Sequence, residues 1–272
     1  MENNPVDPKY QSIEYARTHP LSINRISEAK NRAPQIVNDK YIESEKYLYI
    51  KERLRIFTKN TDLDHVNYYQ KLVSNTPENK ITDAQKYGYA LSLHLSSNHK
   101  QALEILSSIK TTAENKLFLA ILKAEIYSDI DSKESLKLFA NLYDFYPESP
   151  IIIIPYINIL IKSKDLKNVN YSRQLARKLT QLSPENPNYY QLLAISNQNA
   201  NKPIEANEAL AMKEHIINNN YRAVRILKNV LKSELDYYQR ARIEAKVTEF
   251  EALITDKERH REVLAEKTGK QY

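Results

Sequence analysis

The sequence contains no cysteine and no tryptophan, and only two of its 272 residues are glycine. Without cysteine, the chain has neither disulfides nor thiolate metal sites. Glycine supplies the positive-φ positions of tight turns and phosphate-binding loops, so its scarcity argues against sandwiches, barrels, dinucleotide-binding folds and P-loops. We therefore expect helices joined by turns built from Asn, Asp, Ser and Pro.

Long apolar runs and clustered charge are also missing. No apolar stretch approaches the roughly 18 residues of a membrane span, because the longest one, starting at Ile151, is interrupted at Pro155, Tyr156 and Asn158. The N-terminal residues show no apolar core of a signal peptide. The 40 basic and 34 acidic residues are spread along the chain, so we expect neither a nucleic-acid partner nor a membrane span.

A recurring spacing is the main positive signal. Small residues that open amphipathic stretches recur at intervals of 33, 37 and 34 residues, at Ala102, Ser135, Ser172 and Ala206. Three prolines are placed to close units, at Pro77, Pro147 and Pro184. A period near 34 residues is typical of tetratricopeptide repeats. The spacing predicts an all-α fold, a tetratricopeptide-like array of helical hairpins (an α-solenoid) that presents a protein-binding surface.

The pattern divides the chain into three parts. Residues 1–37 form a lead-in with one short helix between two prolines, 38–254 form the repeat domain, and 255–272 form a charged tail that is frayed or disordered. Within the repeat domain, the helix that starts near Ile204 is expected to close one hairpin and open the next. A last helix, from Leu235 to about Ile254, is expected to cover the final apolar surface.

Catalytic and metal-binding patterns are not evident. The six histidines form no His-Glu-x-x-His motif, and there is no Gly-x-Ser-x-Gly motif. His94 and His99 are five positions apart, a spacing that does not put them on one face of a helix. We expect no catalytic residue, no metal site and no cofactor in this chain.

Tyrosine is abundant, with 20 Tyr against five Phe. One interpretation is that most tyrosines pack between helices; the other is that some line a concave groove for an extended peptide. First-helix positions of the repeats supply the candidate groove residues: Tyr89, Leu93, Tyr156, Tyr190 and Asn197. The expected partners are proteins or peptides.

Two segments carry a more specific resemblance. Residues 17–29 read RTHPLSINRISEA, and residues 237–245 read YYQRARIEA. The first resembles the segment that closes the catalytic domain of M48 zinc metalloproteases, and the second resembles the last helix of the tetratricopeptide domain that follows it in the periplasmic branch of that family. The two motifs bracket the repeats in the same order.

The resemblance implies a periplasmic location and a function in outer-membrane protein assembly or quality control. It implies outer-membrane proteins or their assembly machinery as partners, and it places His19 in a loop beside the catalytic cleft. Zinc would belong to a full-length parent, because the His-Glu-x-x-His helix and the glutamate ligand are missing here. We therefore expect this chain to be a non-catalytic interaction module, since no metal is held to activate water.

Two alternatives remain open at this stage. The chain could contribute to zinc endopeptidase activity as part of a longer parent, or it could be a stand-alone cytoplasmic tetratricopeptide adaptor. The missing signal peptide favours the adaptor, and the two end motifs favour the periplasmic protease.

Overall fold

The computed structural model describes residues 44–58, 65–256 and 258–259, together with the isolated residues 27 and 31. The chain divides into two compact units, Met1–Ser44 and Glu45–Tyr272. The lead-in predicted over 1–37, including His19, otherwise lies outside the described residues, as does most of the predicted tail over 255–272.

The described part of the second unit contains twelve α-helices and no β-strand. In chain order they are α1 (Glu45–Thr58), α2 (His65–Asn75), α3 (Asp83–Leu95), α4 (His99–Ser107), α5 (Lys116–Ile130), α6 (Ser132–Phe145), α7 (Pro150–Lys162), α8 (Leu166–Leu182), α9 (Pro187–Asn199), α10 (Pro203–Ile216), α11 (Asn220–Val230) and α12 (Tyr237–Glu251). From α2 onward each helix packs against the next. The first helices of successive hairpins also pack against one another: α1 packs on α3, α3 on α5, α5 on α7 and α7 on α9. The predicted all-α, tetratricopeptide-like array is confirmed.

The periodic small residues lie where the helices approach most closely. Ala102, Ser135 and Ser172 are fully buried, and Ala206 is 3% exposed. Each one lies on the second helix of its hairpin, one on each of α4, α6, α8 and α10. A small side chain there lets two backbones pack closely, which explains why the spacing in the sequence marks the repeats.

One hairpin differs from the others in its connection. Only Asp131 separates α5 from α6, and its carboxylate caps α6 by accepting hydrogen bonds from the first backbone N–H groups. Ser135 Oγ crosses the hairpin to donate to the carbonyl of Ala124 at 2.8 Å. The repeat pattern expects the small residue of α5 at the position of Lys123. The structure instead has it one place later, at the fully buried Ala124. The shorter connection accounts for this one-residue shift.

Four of the turns between helices share one geometry. Each has three residues, and the middle one has a positive φ between 54° and 63°: Ser97, Lys164, Asn201 and Asn218. In three of them, the next backbone N–H bonds at 2.8 to 2.9 Å to a carbonyl five residues earlier, linking Asn98 to Leu93, Lys202 to Asn197, and Asn219 to Glu214. This is the Schellman arrangement that ends helices, here made without glycine.

Prolines mark several helix ends and helix starts along the array. Pro77, Pro147 and Pro184 each stand two residues beyond the end of a helix. Pro150, Pro187 and Pro203 begin the helices α7, α9 and α10, where the missing N–H would have no helical partner in any case.

The prediction that one helix serves two hairpins is confirmed. α10 packs against both α9 and α11, and both of its connections are three-residue turns of the shared geometry. The last helix is shorter than predicted, because Asp236 caps its start and it ends at Glu251. Its buried face consists of Ile243, Val247 and Phe250, which pack in one cluster with the apolar residues of α11.

Candidate interaction groove

A groove of about 460 Å³ lies among α8, α9, α10 and α12. We call it the α12 groove. Side chains from all four helices and from the cap of α12 line it: Arg177, Tyr190, Leu193, Asn197, Glu205, Glu208, Ala209, Met212, Asp236, Tyr238, Gln239, Arg242 and Lys246.

The start of α12 is fixed by a reciprocal capping box. Asp236 Oδ1 accepts from the backbone N–H of Gln239 at 2.7 Å, and Gln239 Oε1 accepts from the backbone N–H of Asp236 at 3.1 Å. This arrangement satisfies two N–H groups that the helix itself leaves unpaired. Ile243, Val247 and Phe250 hold one face of α12 in the core, and the neighbouring face, which carries Arg242 and Lys246, lines the groove.

An ion pair joins the two walls of the α12 groove. Arg242 on α12 binds Glu208 on α10 through both Nη2, at 2.7 Å, and Nε, at 3.1 and 3.3 Å. The hydrogen bonds to Glu208 raise the pKa of Arg242, so the guanidinium is always charged. Lys246 adds a longer contact to Glu208 at 3.6 Å. The pair fixes the spacing between α10 and α12 through a two-point contact.

The groove combines an apolar lining with an aromatic rim. Leu193, Ala209 and Met212 provide apolar atoms between the charged side chains. At the entrance, Tyr238 is 80% exposed, and so is its neighbour Tyr237, whose ring packs edge-on against it at 5.7 Å between centroids. An exposed aromatic ring with a polar tip is a common anchor in protein interfaces.

The charges around the α12 groove are balanced. Arg177, Arg242 and Lys246 face three carboxylates, those of Glu205, Glu208 and Asp236. Such a lining offers both donors and acceptors to a polypeptide backbone and does not select strongly for one charge. This arrangement suits an extended peptide better than a nucleic-acid strand, which would require an excess of basic groups.

Two of the five predicted groove residues lie in this groove. Tyr190 is half-buried, and Asn197 is 2% exposed. Asn197 Oδ1 accepts from Arg173 Nε at 2.8 Å, which holds the amide in place against α8. The role of Tyr190 in binding stays a prediction, whereas Asn197 is as buried as the other three predicted residues and offers a peptide almost no surface.

The other three predicted residues belong to the packed interior. Leu93 is 1% exposed, and Tyr89 and Tyr156 are each 6% exposed. The ring of Tyr89 stacks on Tyr69, and that of Tyr156 stacks on Phe139. Side chains buried to this degree stabilise the array and offer almost no surface to a peptide, because the first-helix positions they occupy point between the layers.

The residues that define the groove most clearly are ones that the repeat pattern does not single out. Glu208 and Arg242 are 34 positions apart and meet only after α11 has reversed the chain. Tyr238 lies on the exposed side of α12. Its membership in the YYQRARIEA segment was the one signal in the sequence that set it apart.

A second cluster of polar side chains lies at the other end of the array. His94, His99 and Asp129 bring three potential metal-ligand atoms within 4.8 Å of one another, and no other such group occurs among the described residues. As the five-residue spacing predicts, His94 and His99 do not share one face of a helix, because α3 ends at Leu95 and α4 begins at His99. The intervening turn folds the second ring back onto the first.

Burial lowers the pKa of His94, while the negative charges of Asp129 and Glu125 oppose that effect. Burial alone would raise the pKa of Asp129, but its hydrogen bond with Lys162 and the charge of that ammonium keep it below the ordinary value.

Comparison with known proteins gives one curated relative of interest. The β-barrel assembly-enhancing protease of Yersinia pestis is 24% identical over 185 residues, which cover 66% of this chain and 37% of that protein. The resemblance to a protease of this kind is thereby confirmed, and the match spans little more than a third of the relative. No known family profile matches the chain.

Two solved structures show similar arrangements of helices at low identity. MamA from Desulfovibrio magneticus RS-1 is 14% identical, with a TM-score of 0.44, and the match covers 65% of this chain and 98% of that one. A tetratricopeptide repeat protein from Parabacteroides merdae is also 14% identical, with a TM-score of 0.41, and covers 80% and 98%. None of the described helices combines the length and apolar composition needed to cross a bilayer.

Proposed function

We propose that this chain is the non-catalytic, protein-binding array of a periplasmic M48-type zinc metalloprotease, and that its α12 groove holds extended segments of unfolded outer-membrane proteins. One observation carries the proposal. The YYQRARIEA segment, on which the resemblance to these proteases depends, forms the start of α12 and contributes Tyr238, Gln239 and Arg242 to the groove.

The chemistry of the groove fits such a substrate. Strands of outer-membrane barrels alternate polar and apolar side chains and carry aromatic residues near their ends. An unfolded segment of this kind can place apolar side chains on Leu193 and Met212 and stack an aromatic ring on Tyr238. The surrounding carboxylates and basic groups are positioned to meet its backbone and polar side chains.

Affinity would come from a few anchors rather than from the whole surface. Tyr238 is the main candidate because its ring is 80% exposed in the free array and has the most surface to lose on binding. The ion pair between Arg242 and Glu208 positions the walls, so its loss would change the shape of the groove as well as its charge.

The binding proposal is tested with a fluorescently labelled peptide that copies one strand of an outer-membrane barrel, measured by fluorescence anisotropy. Tyr238→Ala is expected to weaken binding by about tenfold, as for an aromatic hot spot. Phe145→Ala is the matched control, because Phe145 is equally exposed at 80% but lies on α6, away from the groove.

Circular dichroism and thermal melting would establish that both variants are folded. Equal affinities for the parent, Tyr238→Ala and Tyr190→Ala would show that the peptide does not use this groove. Equal losses from Tyr238→Ala and Phe145→Ala would indicate nonspecific aromatic contacts instead.

The cellular part of the proposal needs a separate measurement. Antiserum raised against the chain would be used to blot fractionated source cells. A periplasmic band well above 31.8 kDa is expected, since the array would be joined to a catalytic domain. A cytoplasmic band at about the calculated mass would contradict the proposal and favour a free-standing adaptor.

A further inference from the structure

His94, His99 and Asp129 form a cluster of three side chains of the types that bind metal ions. His94 Nδ1 lies 3.3 Å from His99 Nδ1 and 3.8 Å from Asp129 Oδ2. His99 Nε2 lies 4.0 Å from the same carboxylate oxygen. The three side chains come from α3, α4 and α5, so the cluster joins three successive helices.

Local structure explains why the two rings meet. Ser97, with φ of 63°, ends α3 in the left-handed conformation and sends the chain back as α4. His94 is in the last turn of α3 and His99 is the first residue of α4, so their rings approach to 5.4 Å between centroids. Asp129 is in the last turn of α5, which packs against both helices.

One of these distances matches an edge of a tetrahedral zinc shell. With Zn–N bonds of about 2.0–2.1 Å and tetrahedral angles, two ligand nitrogens lie about 3.3 Å apart. The nitrogen pair already has this separation. His99 can give an ion only one of its two nitrogens, and with one ligand atom from each residue the three atoms lie within 4.8 Å of one another, so the side chains must draw together for all three to reach one ion.

The surroundings leave the site accessible. The side chains of His94, His99 and Asp129 are 11%, 20% and 34% exposed, so an ion can enter from solvent and a water molecule can complete the shell. Lys162 from α7 binds Asp129, but through Oδ1, which leaves Oδ2 directed to the histidines. The Lys162 side chain is 54% exposed, and its ammonium also donates to the carbonyl oxygen of Ser128 at 3.2 Å.

We propose that His94, His99 and Asp129 bind one Zn²⁺ ion, with water in the fourth position, and that the ion clamps α3, α4 and α5 together. Neutral imidazole nitrogens and a carboxylate oxygen are the ligand types that zinc accepts. Glu125, one turn before Asp129 on α5, is already held by two hydrogen bonds to Arg53 and is not a ligand. A metal-free alternative is a single hydrogen bond between the two Nδ1 atoms, and the experiment separates the two.

Isothermal titration of the purified chain with ZnCl₂, after treatment with chelator, tests the site directly. One Zn²⁺ per chain is expected, with a rise in melting temperature when the metal is bound. His99→Gln and Asp129→Asn are each expected to weaken binding by at least about tenfold. His65→Gln, which changes a histidine on α2 outside the cluster, should leave affinity and stoichiometry unchanged.

Lys162→Met is a test in which zinc affinity is expected to rise rather than fall. Removing the ammonium frees Asp129 and takes away a competing positive charge, so zinc should bind about tenfold more tightly. A simple hydrogen-bonded pair of histidines predicts no such gain. Co²⁺ substitution would add a spectroscopic readout, since a tetrahedral site with two nitrogen ligands gives an intense visible band.

Three results would overturn the proposal. They are no binding at micromolar zinc by the folded parent chain, binding that is unchanged in His99→Gln, and affinity that is insensitive to both Asp129→Asn and Lys162→Met. None of these measurements involves the peptide groove, so failure of the zinc site and failure of the proposed function are distinguishable.

Discussion

Gly88 on α3 lies directly against the phenol of Tyr69 on α2. A Cβ added at Gly88 would overlap the Tyr69 hydroxyl oxygen and come within 2.7 Å of Cζ. Tyr69 is fully buried, and its hydroxyl donates to Glu52 Oε2 at 2.6 Å. This glycine is therefore required by close packing, not by a turn.

Gly88→Ala is expected to lower the free energy of unfolding by about 1–3 kcal/mol, because the methyl group overpacks the contact with Tyr69. The loss should appear even though alanine favours a helix by about 1 kcal/mol over glycine. Urea denaturation followed by circular dichroism measures it.

The same replacement in a Tyr69→Leu background separates the two effects. Without the ring, Gly88→Ala should cost much less or become stabilising, which gives a large coupling energy in the double-mutant cycle. An equal cost in both backgrounds would show that Tyr69 is not the residue that excludes a side chain at position 88.

The repeat pattern was sufficient to predict the array because close helix crossings demand small residues at fixed intervals. Ala102, Ser135, Ser172 and Ala206 were located by that demand alone, and all four are buried. Proline positions were equally informative, because a residue without an N–H fits just beyond a helix end or at its first position.

The α12 groove and the histidine cluster depend on contacts that no local pattern encodes. Arg242 reaches Glu208 across 34 residues, and His94 meets His99 because a turn interrupts the helix on which a spacing argument relies. Tyr89 and Leu93 show a second limit of prediction from sequence, which concerns which helix positions are exposed. Their helix positions were assigned to a concave surface, but whether such a position faces solvent or the next layer is decided by packing between hairpins.

The positive φ of 56° at Lys164 predicts a stabilising substitution. A side chain with a Cβ is strained in this conformation by about 1–2 kcal/mol, whereas glycine adopts it readily. Lys164→Gly is expected to raise the free energy of unfolding by about 0.5–1 kcal/mol after the greater freedom of glycine in the unfolded chain is counted. Thermal melting and urea denaturation measure the gain.

Lys167→Gly is the matched control, because Lys167 is also an exposed lysine but lies in the first turns of α8. There glycine should cost about 1 kcal/mol. If both substitutions destabilised the chain equally, the left-handed conformation at Lys164 would be contradicted.

A substitution at Ala206 tests whether the small residues mark the register of the repeats. It is 3% exposed on α10, at the position where the second helix of a hairpin approaches the first. Ala206→Leu is expected to cost about 1–3 kcal/mol, since no space is available for the added carbons. Ala245→Leu, at an exposed position of α12, should change stability little. A fully stable Ala206→Leu variant would mean that the small residues do not mark the crossings.

Buried tyrosines predict a loss of stability at alkaline pH. Burial raises the pKa of Tyr49 to about 12, despite a hydrogen bond from Asn115 that opposes the shift, and burial likewise raises the pKa of Tyr156 to about 12. In the unfolded chain both phenols titrate near 10. The unfolded state therefore releases protons first, so the stabilising contribution is complete below about pH 10 and declines as the pH rises from about 10 to about 12.

At about pH 11 each of these tyrosines is expected to remove about 1 kcal/mol from the free energy of unfolding. Urea denaturation at a series of pH values would show the decline, and Tyr49→Phe should make it shallower although it also removes the bond to Asn115 at 3.0 Å. Tyr237→Phe is the control, because the ring of Tyr237 is 80% exposed and its replacement should leave the slope unchanged. A slope that is the same for Tyr49→Phe and the parent would contradict a raised pKa of the Tyr49 phenol, since a phenol whose pKa does not change on folding does not link its ionisation to unfolding.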